Sequence, residues 1–168
     1  MTRPCVKNKR SSPVVKALIC SLLLLPLVSC AVIDQRGQPS WMTYSLVATE
    51  TINPNASGDA TPLEVQVFEL EDDSMFLSAD FDQLTEDAKK ALKSNYINHR
   101  DFVMLPGQFK FIDTFEVSQK TSYIGVMARF AAPNSSDWKK VVKVLPANKQ
   151  YHLLIYFDDQ SVKLDQVE

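Results

Sequence analysis

From Trp41 onward apolar and polar residues alternate along most of the chain, and this period of two constrains the fold more than any other feature. Met42, Tyr44, Leu46 and Ala48 alternate with Thr43, Ser45, Val47 and Thr49, and Leu63, Val65 and Val67 with Glu64 and Gln66. Successive side chains of a strand point to opposite faces, so each stretch buries one face and wets the other. Further strand-like runs are Asp101–Leu105, Phe109–Val117, Ser122–Ala131, Trp138–Leu145, Tyr151–Phe157 and Ser161–Val167. In the second of these Phe109, Phe111, Asp113 and Phe115 are expected on one face. Ser122–Ala131 is the most continuously apolar and is expected in the centre of a sheet. About eight strands, punctuated by turns roughly 8–12 residues apart, predict a mainly all-β chain folded as a sandwich.

One segment breaks the alternation. Asp72-Asp73-Ser74 supplies helix-start chemistry. Phe81, Leu84, Ala88, Ala91 and Leu92 then recur on one helical face, with acids early and bases late on the other, as the helix dipole prefers. The spacing predicts a short helical insertion after the second strand: a turn of helix at Ser74–Ser78, then a helix of about 12 residues.

The first thirty residues obey a different grammar. Arg3, Lys7, Lys9, Arg10 and Lys16 precede an apolar run, Ala17 to Val28, and no acid occurs before it. A basic segment followed by a short apolar run is the pattern of a secretory signal. A spanning helix needs about 20 apolar residues, and Pro26 interrupts this shorter one. The run ends in Leu27-Val28-Ser29-Cys30, which resembles the bacterial lipobox. That resemblance implies a signal peptide at 1–29. It also implies a covalent diacylglycerol and an N-acyl chain on Cys30, with no other cofactor. Ala31 rather than Asp follows the Cys, which in this class implies the outer membrane. Residues 30–40 are expected to be a tether, and 41–168 the folded domain. Val32 to Ser40, fully extended, reach at most about 30 Å.

Cleavage changes the composition. The 168 residues carry 18 bases, 20 acids and 3 cysteines. Without residues 1–29 the chain has 13 bases and 20 acids, a formal charge of −7, and Cys30 is its last cysteine. A disulfide scaffold is thereby excluded, the near-neutral whole-chain charge of −2 argues against a nucleic-acid binder, and the acidity of the domain disfavours docking on anionic lipid heads, leaving the acyl chains as the anchor. No nucleotide-binding or nucleophile-elbow motif is present. His99 and His152 lack metal-ligand spacing and are expected to be ordinary strand-face residues. Asp72-Asp73, Asp80 with Asp82, and Asp158-Asp159 are expected to be caps and turns, with no metal bound. Trp41, Trp138 and the phenylalanines are expected in the core. Catalytic residues: none emerges.

Five segments together resemble the TssJ family, the outer-membrane lipoprotein of the type VI secretion system. They are Asn53-Pro54 ahead of Pro62-Leu63-Glu64-Val65-Gln66-Val67-Phe68-Glu69-Leu70; Asp72-Asp73-Ser74-Met75-Phe76-Leu77-Ser78-Ala79-Asp80-Phe81; Leu105-Pro106-Gly107; Tyr123-Ile124-Gly125-Val126-Met127-Ala128-Arg129-Phe130; and Trp138-Lys139. Gln66, where a basic residue is common, and Ala131-Ala132-Pro133 depart from the pattern. The resemblance implies a transthyretin-like β-sandwich with a small helical insertion. It also implies a non-enzymatic adaptor that holds the trans-envelope complex to the outer membrane by binding the periplasmic C-terminal domain of TssM. The family's contact, the loop between the first two strands, maps to Asn53, Pro54, Asn55, Ala56, Ser57, Gly58, Asp59, Ala60, Thr61 and Pro62. The residues alone leave two other readings open. A concave cluster of exposed aromatics would favour a sandwich lipoprotein that binds a glycan or small ligand. A pocket holding His99 or His152 with a carboxylate would favour an enzyme.

Overall fold

Strand β1 (Ser40–Ala48) is hydrogen-bonded on both sides, antiparallel to β4 (Phe109–Val117) and parallel to β7 (Gln150–Asp158). It is the spine of one sheet, ordered β4-β1-β7-β8, with β8 being Ser161–Val167. A second sheet is ordered β3-β2-β5-β6, where β2 is Leu63–Leu70, β3 Tyr96–Met104, β5 Tyr123–Ala128 and β6 Lys139–Lys143. A computed structural model describes residues 40–144 and 149–167. The expected signal at 1–29, Cys30 and the tether up to residue 39 lie outside the described residues. Ser40, the last residue expected in the tether, is the first residue of β1.

The two four-stranded sheets form the expected sandwich of eight strands. Met42, Tyr44, Leu46 and Ala48 from β1 meet Val65, Val67, Ile124 and Val126 from the facing sheet, and Leu153, Ile155 and Phe157 from β7 complete the layer. Every one of these is buried. Non-directional burial of alternate residues from both sheets is what holds such a fold together. One carboxylate enters this interior. Glu69 is 5% exposed, and it accepts hydrogen bonds from Ser118 N (3.1 Å) and Thr121 Oγ1 (2.9 Å). Burial, and then the charge of Glu69, push the Tyr44 phenol above its usual range, while Arg100 opposes the shift.

The helical insertion covers the outer face of the β3-β2-β5-β6 sheet. It consists of α1 (Ser74–Ser78) and α2 (Phe81–Leu92). Phe76, Leu84 and Leu92 bury against Phe68, Leu70 and Met127, making a second core outside the sandwich. Asp80 starts α2 with a reciprocal capping box: its carboxylate accepts from Gln83 N at 2.8 Å, and Gln83 Oε1 accepts from Asp80 N at 3.1 Å. The helix is not continuous. Asp87 leaves helical geometry (φ −156°, ψ 84°), and its side chain accepts from Lys90 N at 3.0 Å, restarting the helix as a second N-cap would.

Lys139 joins the insertion to the sheet. Its Nζ donates to the carbonyls of Phe76 (3.0 Å), Leu77 (2.7 Å) and Ala79 (2.7 Å). These are orphan carbonyls at the end of α1, where a cation is favoured. Burial lowers the pKa of this ammonium, and Asp80 pulls it back up.

Three details differ from the pattern read in the sequence. Strand β3 begins at Tyr96, five residues before the expected Asp101, because the 3-10 turn Lys93–Asn95 ends the helix early enough to pair Leu70 with Tyr96. Strand β6 begins at Lys139, since Trp138 turns to pack edge-on against Phe81 with ring centroids 5.2 Å apart. Strand β4 does not keep Phe109, Phe111, Asp113 and Phe115 on one face. Its register against β1 shifts between Ile112 and Phe115, and the irregularity swaps faces. Phe115 and Val117 turn inward, while Phe109 and Phe111 stay 62% and 54% exposed.

Gly125 lies under Phe76 of α1. A Cβ there would lie 3.0 Å from Phe76 Cζ and 3.2 Å from Leu70 Cδ1. Gly125→Ala is expected to destabilise the domain by about 1–3 kcal/mol, as overpacking does. A lowered denaturant midpoint checks this. Adding Phe76→Leu should recover part of the loss relative to Phe76→Leu alone.

Candidate functional site

Loop 49–62 connects the end of β1 to the start of β2. A connection this long between sandwich strands needs internal structure or costs conformational entropy. It has internal structure. Pro54 and Ala60 bridge antiparallel to each other. Within that bridge the Asn55 carboxamide oxygen accepts from Ser57 N (2.8 Å) and Asp59 N (3.0 Å), and Asn55 N donates to Asp59 O at 2.9 Å. Gly58 supplies the positive φ (85°) that lets the chain reverse.

Asn53 fastens the base of this small hairpin. It is 6% exposed and sits in the left-handed region (φ 50°), which Asn tolerates better than most residues. Its Nδ2 donates to Thr61 Oγ1 (2.8 Å) and Pro62 O (2.9 Å), and its Oδ1 accepts from Ala131 N (2.7 Å). Its backbone N donates to Asp159 O at 2.7 Å, and Thr61 Oγ1 donates to Asn53 O at 2.7 Å. One residue thus ties the β1–β2 loop to the β5–β6 and β7–β8 connections. The expected contact stretch therefore divides. Asn53 is buried, Pro54 and Thr61 are half-buried, and Asn55, Ala56, Ser57, Gly58, Asp59, Ala60 and Pro62 are exposed.

The charge at this end of the sandwich is one-sided. The loops here carry Glu50, Asp59, Asp137 and Asp159. Their one base, Arg129, is held by Glu64 at 3.0 Å.

Comparison with known proteins agrees with this architecture. The family described as type VI secretion lipoprotein, VasD, EvfM, TssJ matches residues 40–160. The chain belongs to the TssJ family of type VI secretion lipoproteins. The fold is similar to that of the T6SS lipoprotein TssJ1 from Pseudomonas aeruginosa (26% identity, TM-score 0.72, covering 77% of this chain and 98% of that one). It is also similar to Serratia marcescens Lip, a membrane-bound component of the type VI secretion system (23% identity, TM-score 0.65, 77% and 97%). A chain in the structure described as the T6SS protein TssM C-terminal domain (869-1107) from EAEC shares the fold at 22% identity (TM-score 0.64, 76% and 98%). No curated protein sequence matches this one.

In this TssJ-family chain the motif residues mostly hold the fold. Asn53 clamps the loop, Phe76 and Gly125 seat α1, Asp80 caps α2, and Lys139 closes α1. The Leu105-Pro106-Gly107 turn packs beside the loop, with Gly107 N donating to Thr49 O at 2.9 Å.

The histidines do not assemble a reactive site. His152 lies on the outer face of the β4-β1-β7-β8 sheet, with Nδ1 2.6 Å from Thr43 Oγ1 and Nε2 3.1 Å from Ser45 Oγ, and Phe111 stacks on it. His99 does meet a carboxylate. Its Nδ1 is 2.7 Å from the Tyr96 hydroxyl, and its Nε2 is 3.4 Å from Asp101. That group lies on an edge strand, and the depression beside Asp101, lined by Glu64, Gln66 and Arg129, leaves His99 out. Among the described residues no cluster of three His, Cys, Asp or Glu has metal-holding geometry. The core expectation for the aromatics is corrected at three positions, since Trp41, Phe109 and Phe111 are exposed. They do not cluster: Phe109 pairs with Val47 at one end of β1 and Trp41 with Glu116 at the other, while Phe111, against His152, lines a depression between them.

Asn53→Ala removes three side-chain hydrogen bonds in a buried setting. It is expected to lower stability by about 2–4 kcal/mol, because the Ala131 amide is left without its acceptor. Ser57→Ala at the exposed tip, which keeps its backbone amide, should stay within about 0.5 kcal/mol of wild type. Equilibrium urea unfolding of the two variants separates clamp from tip.

Proposed function

We propose that this chain is an outer-membrane-anchored periplasmic adaptor of the type VI secretion system, without enzymatic activity. Acyl chains on Cys30 hold it to the membrane. The exposed tip of the β1–β2 loop binds the periplasmic C-terminal domain of a TssM-like inner-membrane protein. The observation that carries this reading is the polarity of β1. The chain enters the domain at Ser40 and reaches the loop after Ala48. Nine residues of strand span about 30 Å, so the loop stands at the opposite end of the sandwich from Ser40, where the chain enters the domain. With the chain held at Cys30, such a loop suits a partner reaching across the periplasm.

Family membership supports the lipoprotein assignment, and two acyl attachments give durable anchoring where one chain alone is marginal. The rigid hairpin supports the contact, because a pre-ordered loop loses little entropy on binding. The acidic loops at this end fit a basic surface on the partner.

Two experiments test the reading. Cys30→Ser is expected to move the protein from the membrane to the soluble fraction, and membrane retention of that variant contradicts the anchor. Replacing Asn55–Ala60 by a short glycine turn, with Asn53 kept, should weaken binding to the TssM periplasmic domain at least about tenfold, a loss of about 1.4 kcal/mol. Titration calorimetry with unchanged affinity would sink the contact.

A further inference from the structure

The opposite end of the sandwich has its own chemistry. A bowl of about 680 Å³ opens on the outer face of the β4-β1-β7-β8 sheet, where β1 begins. Lys143 and Lys149 line it together with Thr43, Phe111, Thr114 and His152. Among the described residues no carboxylate lines it. This is unusual company in a domain whose acids outnumber its bases by seven after signal removal. Glu116 is in register with Trp41 but does not line the bowl. Apart from the helical insertion, the connections at this end are residues 118–122 and 144–149. They carry Lys120 and Lys149 and no acid. The loops at the far end are acidic.

Beside the bowl stands Trp41, 43% exposed, two residues before Thr43 on the outward side of β1. It pairs with Gln150, another residue of the bowl. An indole with an apolar body and one polar edge suits the boundary between headgroups and hydrocarbon. His152 is a fixed wall here: Thr43 and Ser45 occupy both its ring nitrogens. The lysines are therefore the groups that meet a ligand.

We propose that this bowl docks on the bilayer that holds the acyl chains. Lys143 and Lys149 would receive lipid headgroup phosphates, with Trp41 set at the interface. The proposal rests on the anchor at Cys30 and adds an orientation to it. Nine residues, Ala31 to Pro39 with Ser40 next, separate Cys30 from β1. At most about 3.6 Å each, they keep this end within reach of the surface. The acyl chains hold the domain at the membrane but do not by themselves fix its orientation. The two lysines of the bowl would fix it, with the acidic loops outward.

The test uses the full acylated protein in vesicles of phosphatidylethanolamine and phosphatidylglycerol with brominated acyl chains. Trp41 emission should be quenched, with Trp41→Phe assigning the signal against Trp138. At about a fivefold effect per lysine near a membrane surface, Lys143→Gln with Lys149→Gln should lower the docked-to-undocked ratio about 30-fold and remove the quenching. Lys89→Gln with Lys90→Gln, on α2, should leave it unchanged. Unquenched Trp41 in the wild type, or equal loss in both double variants, overturns the proposal. The anchor's own failure looks different, because the protein would then not float with the vesicles. If only the bowl fails, the protein floats with Trp41 unquenched.

Discussion

The position of β1 in the middle of its sheet governs both ends of the molecule. A strand paired on both sides has no free edge, and its direction is fixed by eight parallel pairings to β7 as well as by β4. Its first residue continues from the segment expected to carry the lipid, and its last opens into the exposed loop. Sliding β1 by one position would turn Met42, Tyr44, Leu46 and Ala48 out of the core. The hydrophobic register that holds the sandwich together therefore also sets the position of the loop relative to Ser40, where the chain enters the domain. Residues 40–168 contain no cysteine, so that register has no covalent support within the domain.

The layers around this strand are unequal. The β3-β2-β5-β6 sheet is covered by α1 and α2, whose attachment depends on a glycine too small to obstruct Phe76 and on one lysine reaching three carbonyls. The β4-β1-β7-β8 sheet keeps its outer face open. There Phe111 stacks on His152, and Thr43 and Ser45 spend their hydroxyls on the ring. Buried hydroxyls on a solvent-side face would be costly without such partners. They make that face firm enough for a shaped depression to persist at one end.

Much of this was legible in the sequence, and the failures share a physical cause. Strand periods located β1, β2, β4, β7 and β8 because one face of each is in the core. The helical insertion was legible because its period differs from its surroundings. The face swap in β4 was hidden, because Phe109, Phe111, Asp113 and Phe115 alternate without a break, and only pairing to β1 shows the irregularity. The start of β3 was hidden for a related reason: residues 96–100 have weak alternation, and their place depends on partners in β2. At the candidate site, composition marked the loop but could not divide it. Asn53-Pro54 after a strand was a signal for a turn. That the Asn would be buried, and bonded to residues 78 positions away, follows from where the β5–β6 connection passes.

The division of the loop bears on how it can vary. Its clamp belongs to the fold: Asn53 serves three connections at once, so changing it disturbs the domain before it disturbs any partner. Its tip belongs to no other part of the structure. The turn there needs Gly58 for its φ and Asn55 for its amides, while Ala56, Ser57 and Asp59 point side chains into solvent with little structural duty. The sequence can therefore change at these three positions with little loss of stability, since exposed residues free of such duties cost little to replace. The same separation holds along the whole axis. The core sets distance and direction, and the loops at its ends carry what differs.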